Sequence, residues 1–178
     1  MAFQQTLTIV SAMAALAAAA VPVTRPWSAP EASSGVDRVV SACLATVAGA
    51  LIAVGLVSST VLRHVIQIAP IVIALGIQLR RFQWGASAAA PLFAFWFLLM
   101  GAIWLFLLGV ARLVSGRFTA AEVILTVVIG AASLIGFAAV SRRGAAIGLK
   151  PRLAIVAFFA AMQFAAVWVS LQPFAARR

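Results

Sequence analysis

The chain has 178 residues, 65% of them hydrophobic, and a formal charge of +10 from 13 Lys and Arg against 3 Asp and Glu. Mean hydropathy is +1.16, which argues against an ordinary water-soluble domain and leaves too little chain for a separate extramembrane one. The positive residues sit in short connectors beside apolar runs, so anionic lipid headgroups are the expected partner and nucleic acid is not.

Charge is absent from residues 1–24, 39–62, 82–111, 123–141 and 153–176, and from a shorter run at 65–78. A bilayer core takes roughly 20 apolar helical residues to cross. The expected fold is an all-α polytopic transmembrane helix bundle forming one integral-membrane domain. Its six spans fall near residues 3–21, 37–59, 61–79, 91–114, 120–141 and 153–171. Five spans plus a re-entrant segment at 61–79 is the rival arrangement.

The first span has the apolar centre and the small residues, 17–20, of a secretory leader. Residues 1–6 carry no Lys or Arg, so a retained helix is expected instead. Pro22 and Pro26 close it, and Arg25, Trp27, Pro30 and Glu31 suit an interfacial connector. Ser34-Gly35-Val36-Asp37 has capping-box spacing, which makes Ser34 and Asp37 the expected caps of the second span. Within that span Ala45, Gly49 and Ala53 recur every four residues. They share one helix face and are candidates for close packing. The same spacing occurs at Ser11, Ala15 and Ala19, at Ala132 and Gly136, and at Ala157, Ala161 and Ala165. Cys43 is the single cysteine, so no intrachain disulfide forms, and its setting among small apolar residues suits a buried hydrophobe.

A tight turn is expected at Ser58-Ser59-Thr60, followed by a third span in which Arg63 snorkels to the surface. Pro70 removes one backbone donor in mid-span, freeing the Ile66 carbonyl and favouring a kink. At about 100° per residue His64, Gln67 and Gln78 fall on one stripe. Polar groups inside a span need partners, so these three are the candidate ligand-binding or path-lining residues.

In the next connector Trp84 suits the interfacial belt and Ser87 a cap, and Pro91 suits the first turn of the fourth span. Ser115-Gly116 supplies a stop signal. Phe93, Trp96, Phe97 and Trp104 make this span bulky. It faces lipid, docks on a partner subunit, or receives a hydrophobic cofactor. Thr119-Ala120-Ala121-Glu122 is a second capping box, opening the fifth span, with Phe118 and Val123 placed for the hydrophobic staple. Gly144 is a candidate end cap, and a basic loop at 142–152 leads to the last span.

With six spans one face carries Arg25, Arg38, Arg80, Arg81, Arg142, Arg143, Lys150 and Arg152, against Arg63, Arg112, Arg117, Arg177 and Arg178 on the other. The positive-inside tendency places the richer set in the cytoplasm. No carboxylate cluster, nucleophile–base pair, P-loop or dinucleotide fingerprint accompanies the spans. No metal or cofactor is expected. Quinone, carotenoid, chlorin or haem are the remaining options, the last with His64 as axial ligand. The expected role is a non-catalytic accessory or scaffold subunit of a complex in a bacterial inner membrane, packed among other integral-membrane subunits. The alternatives are a small transporter or channel component using the stripe on the third span, and a quinone- or chromophore-binding protein.

Overall fold

The computed structural model describes residues 31–111, 118–143 and 147–175. These residues form five helices and no strand: α1 (Glu31–Val57), α2 (Val61–Leu79), α3 (Gly85–Leu107), α4 (Ala120–Arg142) and α5 (Leu149–Ser170). Each is long and apolar enough to cross a membrane. They correspond to the second through sixth expected spans. The expected first span at 3–21 lies outside the described residues, as do Trp27, the Ser115-Gly116 stop and Gly144.

Successive helices run antiparallel. Gln67, early in α2, bonds Ser170 at the end of α5, and Trp104, late in α3, bonds Thr126 early in α4. The starts of α1, α3 and α5 therefore share one face with the ends of α2 and α4. Arg38, Arg80, Arg81, Arg142, Arg143, Lys150 and Arg152 all belong to that basic face. Around the bundle α1 packs on α4, α4 on α3, α3 on α5, α5 on α2, and α2 back on α1. α3 also meets α2 and α1, so the aromatic helix touches every other described helix.

The inner stripe of α1 is Val40, Leu44, Val47 and Leu51, each at most 2% exposed. That of α2 is Gln67, Ile71, Ala74 and Gln78, joined by Ile68 and Pro70. Both follow the three-and-four spacing of a helix burying one face. α2 continues unbroken through Pro70 for 19 residues, about 28 Å at 1.5 Å per residue and close to the thickness of a hydrocarbon core.

Three helix ends are closed by the same device. After α1 the Thr60 amide donates to the Gly55 carbonyl (2.8 Å) and the Ser59 amide to Leu56 (3.3 Å), with Ser59 at φ 55°. After α2 Phe82 donates to Ile77 and Arg81 to Gln78, with Arg81 at φ 55°. After α3 Val110 donates to Leu105 and Gly109 to Phe106, with Gly109 at φ 73°. These are Schellman closures, which satisfy the last carbonyls through one left-handed residue. Gly55 makes the first closure possible. A Cβ there would lie 3.1 Å from the Val61 Cα and 3.2 Å from His64.

Several expected boundaries move. α3 starts at Gly85, so Ser87 and Pro91 lie inside it and residues 85–90 are helix rather than connector. The small residues Gly85, Ala86, Ser87, Ala88 and Ala89 are all buried, letting this end pack closely among the other helices. Alanine's helix propensity and that burial outweigh the single bond lost at Pro91. α3 ends at Leu107 because Gly109 takes the left-handed position there. α5 begins at Leu149, with Pro151 in its first turn, where a missing donor costs little. α1 already runs from Glu31, so Ser34 and Asp37 lie within the helix rather than at its start. The second capping box forms as its spacing requires. Glu122 Oε2 accepts from the Thr119 amide (2.7 Å), and the Glu122 amide donates to Thr119 Oγ1 (3.3 Å).

Candidate functional site

Eight polar side chains are buried among the described residues: Asp37, Gln67, Gln78, Ser87, Thr126, Ser133, Gln163 and Ser170. In a span each needs a partner, because lipid offers none. Two clusters account for most of them.

The first cluster lies at the basic face. Asp37, in the second turn of α1, forms an ion pair with Arg143, the residue after α4. The Gln78 amide, at the end of α2, donates to the same carboxylate oxygen (2.9 Å). The side chains of Arg143 and Asp37 are only 9% and 12% exposed. A pair so shielded is weakly screened, and losing either partner would strand a charge in a low-dielectric setting. The site ties three helices at one end. Gln78 Oε1 has no protein partner and is directed at Gly85, where a Cβ would overlap it. Trp84 sits alongside with Nε1 also unpartnered, its ring 5.7 Å from Phe82 and 6.5 Å from Phe159. Trp84 is therefore an interior residue and not part of a surface belt.

The second cluster joins α2 to α5. Gln67 Nε2 donates to Ser170 Oγ (2.9 Å), and Ser170 Oγ donates back to the Val167 carbonyl (2.7 Å). Gln163 Nε2 donates to the Gln67 carbonyl (3.3 Å), one residue beyond the Ile66 carbonyl left free by Pro70. Gln163 Oε1, Ser133 Oγ and Trp96 Nε1 have no protein partner. Gln163 and Ser133 are wholly buried.

The structure separates the stripe on α2. Gln67 serves the α5 contact and Gln78 the Asp37 cluster. His64 turns to the α1–α2 corner, with Nδ1 3.0 Å from the Thr60 carbonyl. That corner is further tied by Ser58 Oγ donating to Val54 (2.7 Å). Shared helical phase aligned the three residues without bringing them to one partner.

The aromatic surface also changes character. Phe93 and Trp96 are 1% and 2% exposed and point into the bundle. Phe93 lies over Gly136 and Trp104 over Gly130, so that a Cβ at either glycine would overlap the ring. Trp104 Nε1 donates to Thr126 Oγ1 (3.1 Å). Phe97 and Trp104 are half-buried. Two of the four residues expected to form a partner or cofactor surface, Phe93 and Trp96, thus lie inside the molecule, and the glycines of α4 give the Phe93 and Trp104 rings room. Ala45 and Gly49 are exposed, Ala53 is half-buried, and a Cβ at Gly49 would meet nothing within 4 Å. They take no part in the close helix contacts described, which use Gly130 and Gly136 instead. Ala157 and Ala161 likewise face outward.

Gln163, Ser133, Ser170 and Arg143 were missed as site members. For the first two the signal was available, since each is an isolated polar residue in mid-span. Among the described residues no three His, Cys, Asp or Glu side chains come together. No protein-family model, curated protein or solved structure matches the chain.

Proposed function

We propose that this protein is a non-catalytic accessory or scaffold subunit of a complex in a bacterial inner membrane. The observation that carries the reading is how the polar side chains of α2 are used. Gln67 and Gln78, the residues best placed to line a path, are engaged with Ser170 and Asp37 inside the bundle. They act as ties between helices, while the outward faces are apolar. Phe164 and Trp168 on α5 are 63% and 66% exposed, and large aromatics of this kind are favoured at subunit contacts. The segment at 3–21 completes the domain as a sixth span, and the basic face lies in the cytoplasm.

The test is purification of the tagged full chain from its own membranes in mild detergent, with mass measurement after size exclusion. A stoichiometric integral-membrane partner, lost on Phe164→Ala with Trp168→Ala while the chain still folds, is the expected result. A monodisperse single chain that moves a solute across vesicles would overturn it.

That outcome belongs to a second reading, a small transporter or channel component. Gln163 Oε1, Ser133 Oγ and Trp96 Nε1 support it, as buried polar atoms without protein partners that ordered water would satisfy. Under this reading Gln163→Leu abolishes flux and leaves assembly intact. An absorption band from a co-purifying chromophore would instead favour a pigment or quinone binder.

A further inference from the structure

We propose that the outward face of α1 is the docking site for residues 3–21 of this same chain. The inference rests on reading that segment as a span, and adds where it packs and in which register.

Chain length restricts the choice first. Residues 22–30 join the segment to α1, nine residues that reach about 30 Å when fully extended and less with prolines at 22, 26 and 30. The segment therefore meets the bundle beside the start of α1, at the basic face. α5 packs on α2 and α3, so reaching its outer side means passing around the bundle.

The surface of α1 supplies the second argument. Val39, Ala42, Ala45, Thr46, Gly49 and Ile52 are exposed along it. The outer face of α4, beside α1, is dominated by Ile124, Val127, Leu134 and Ile135, whereas α5, which exposes Ala154, Ala157 and Ala161 beside Phe164 and Trp168, packs on α2 and α3 away from α1. The middle of α1 presents only Ala42, Ala45 and Gly49 there, with Thr46 exposed among them, a polar residue better placed against protein than against lipid.

Register is the third. An antiparallel helix returning through the short connector sets Ser11 beside Gly49, Ala15 beside Ala45 and Ala19 beside Ala42. Small residues then meet small residues along the seam, and the two backbones can approach closely.

Cysteine pairing in the full chain, in native membranes, tests this. With Cys43→Ala as background, Ala15→Cys is combined in turn with Ala42→Cys, Ala45→Cys or Gly49→Cys on α1, Val127→Cys on α4, and Ala157→Cys on α5. After oxidation, the Ala15→Cys/Ala45→Cys chain is expected to lose both maleimide labels and still run as a monomer, while the α4 and α5 pairs keep theirs. Disulfide-linked dimers, preferential pairing with α4 or α5, or retention of label at all three α1 positions overturns the docking. Before oxidation, reaction of Ala15→Cys with a membrane-impermeant maleimide would show that the span reading itself has failed. Protection without α1 pairing removes the docking alone.

Discussion

Asp37 Oδ1 accepts from both the Arg143 guanidinium and the Gln78 amide, so one carboxylate oxygen organises the basic end of three helices. Asp37→Ala should lower unfolding stability by about 3–5 kcal/mol, because Arg143 would be left buried and unpaired. Asp37→Leu combined with Arg143→Met should recover most of that loss. Chemical denaturation in detergent micelles checks both, and an equal loss in single and double variants would mean the pair does not couple. Gly136 makes a different demand. Its missing side chain accommodates the Phe93 ring, so Gly136→Val should destabilise by about 1–3 kcal/mol through overpacking. Phe93→Leu in the same chain should relieve part of it, measured by the shift in melting temperature. Gly136 stood out with Ala132 as a small-residue pair, but neither its ring partner nor the ion pair of Asp37 was legible in the sequence. Asp37 had the spacing of a cap, and the partner 106 residues away carries no local signal.

Among the elements, the Schellman closures after α1 and α2 place non-glycine residues at positive φ. A left-handed L-residue costs roughly 1–2 kcal/mol, less the extra freedom glycine has when unfolded. Ser59→Gly and Arg81→Gly should therefore each stabilise by about 0.5–1 kcal/mol in thermal unfolding. The reverse change, Gly109→Ala, should destabilise by a similar amount. At the start of α4, Thr119→Ala removes the capping box and should cost about 1 kcal/mol, with the loss confined to hydrogen-exchange protection of the first turn. The Thr119–Glu122 cap was readable because it is local: the residues that bond lie three apart. The start of α3 was not, since Pro91 signals a helix start and only burial of residues 85–89 shows the helix beginning earlier.

For the molecule as a whole, alternation of the helices collects Arg38, Arg80, Arg81, Arg142, Arg143, Lys150 and Arg152 on one face. If that face is cytoplasmic, cysteines placed at Gln83 and Ile147 should resist an impermeant maleimide added outside intact cells. A cysteine at Ser59 should react. The opposite labelling pattern would invert the orientation. α3, which touches every other described helix, should also be the element least tolerant of change. Trp96→Ala should cost about 3–5 kcal/mol, whereas Trp168→Ala on the outer face of α5 should leave the isolated chain nearly unaffected.

Long uncharged runs separated by basic connectors were enough to specify membrane-length helices, the tight corner at residues 58–60 and the cap at Thr119. Each of these depends on neighbouring residues or on transfer of whole segments out of water. Which polar side chain meets which, and which glycines face a ring, was decided only when the helices packed. The rotation of one helix against another is set by the summed fit of all the facing side chains. That fit joined Asp37 to Arg143, parted Gln67 from Gln78, and turned Phe93 and Trp96 to the inside.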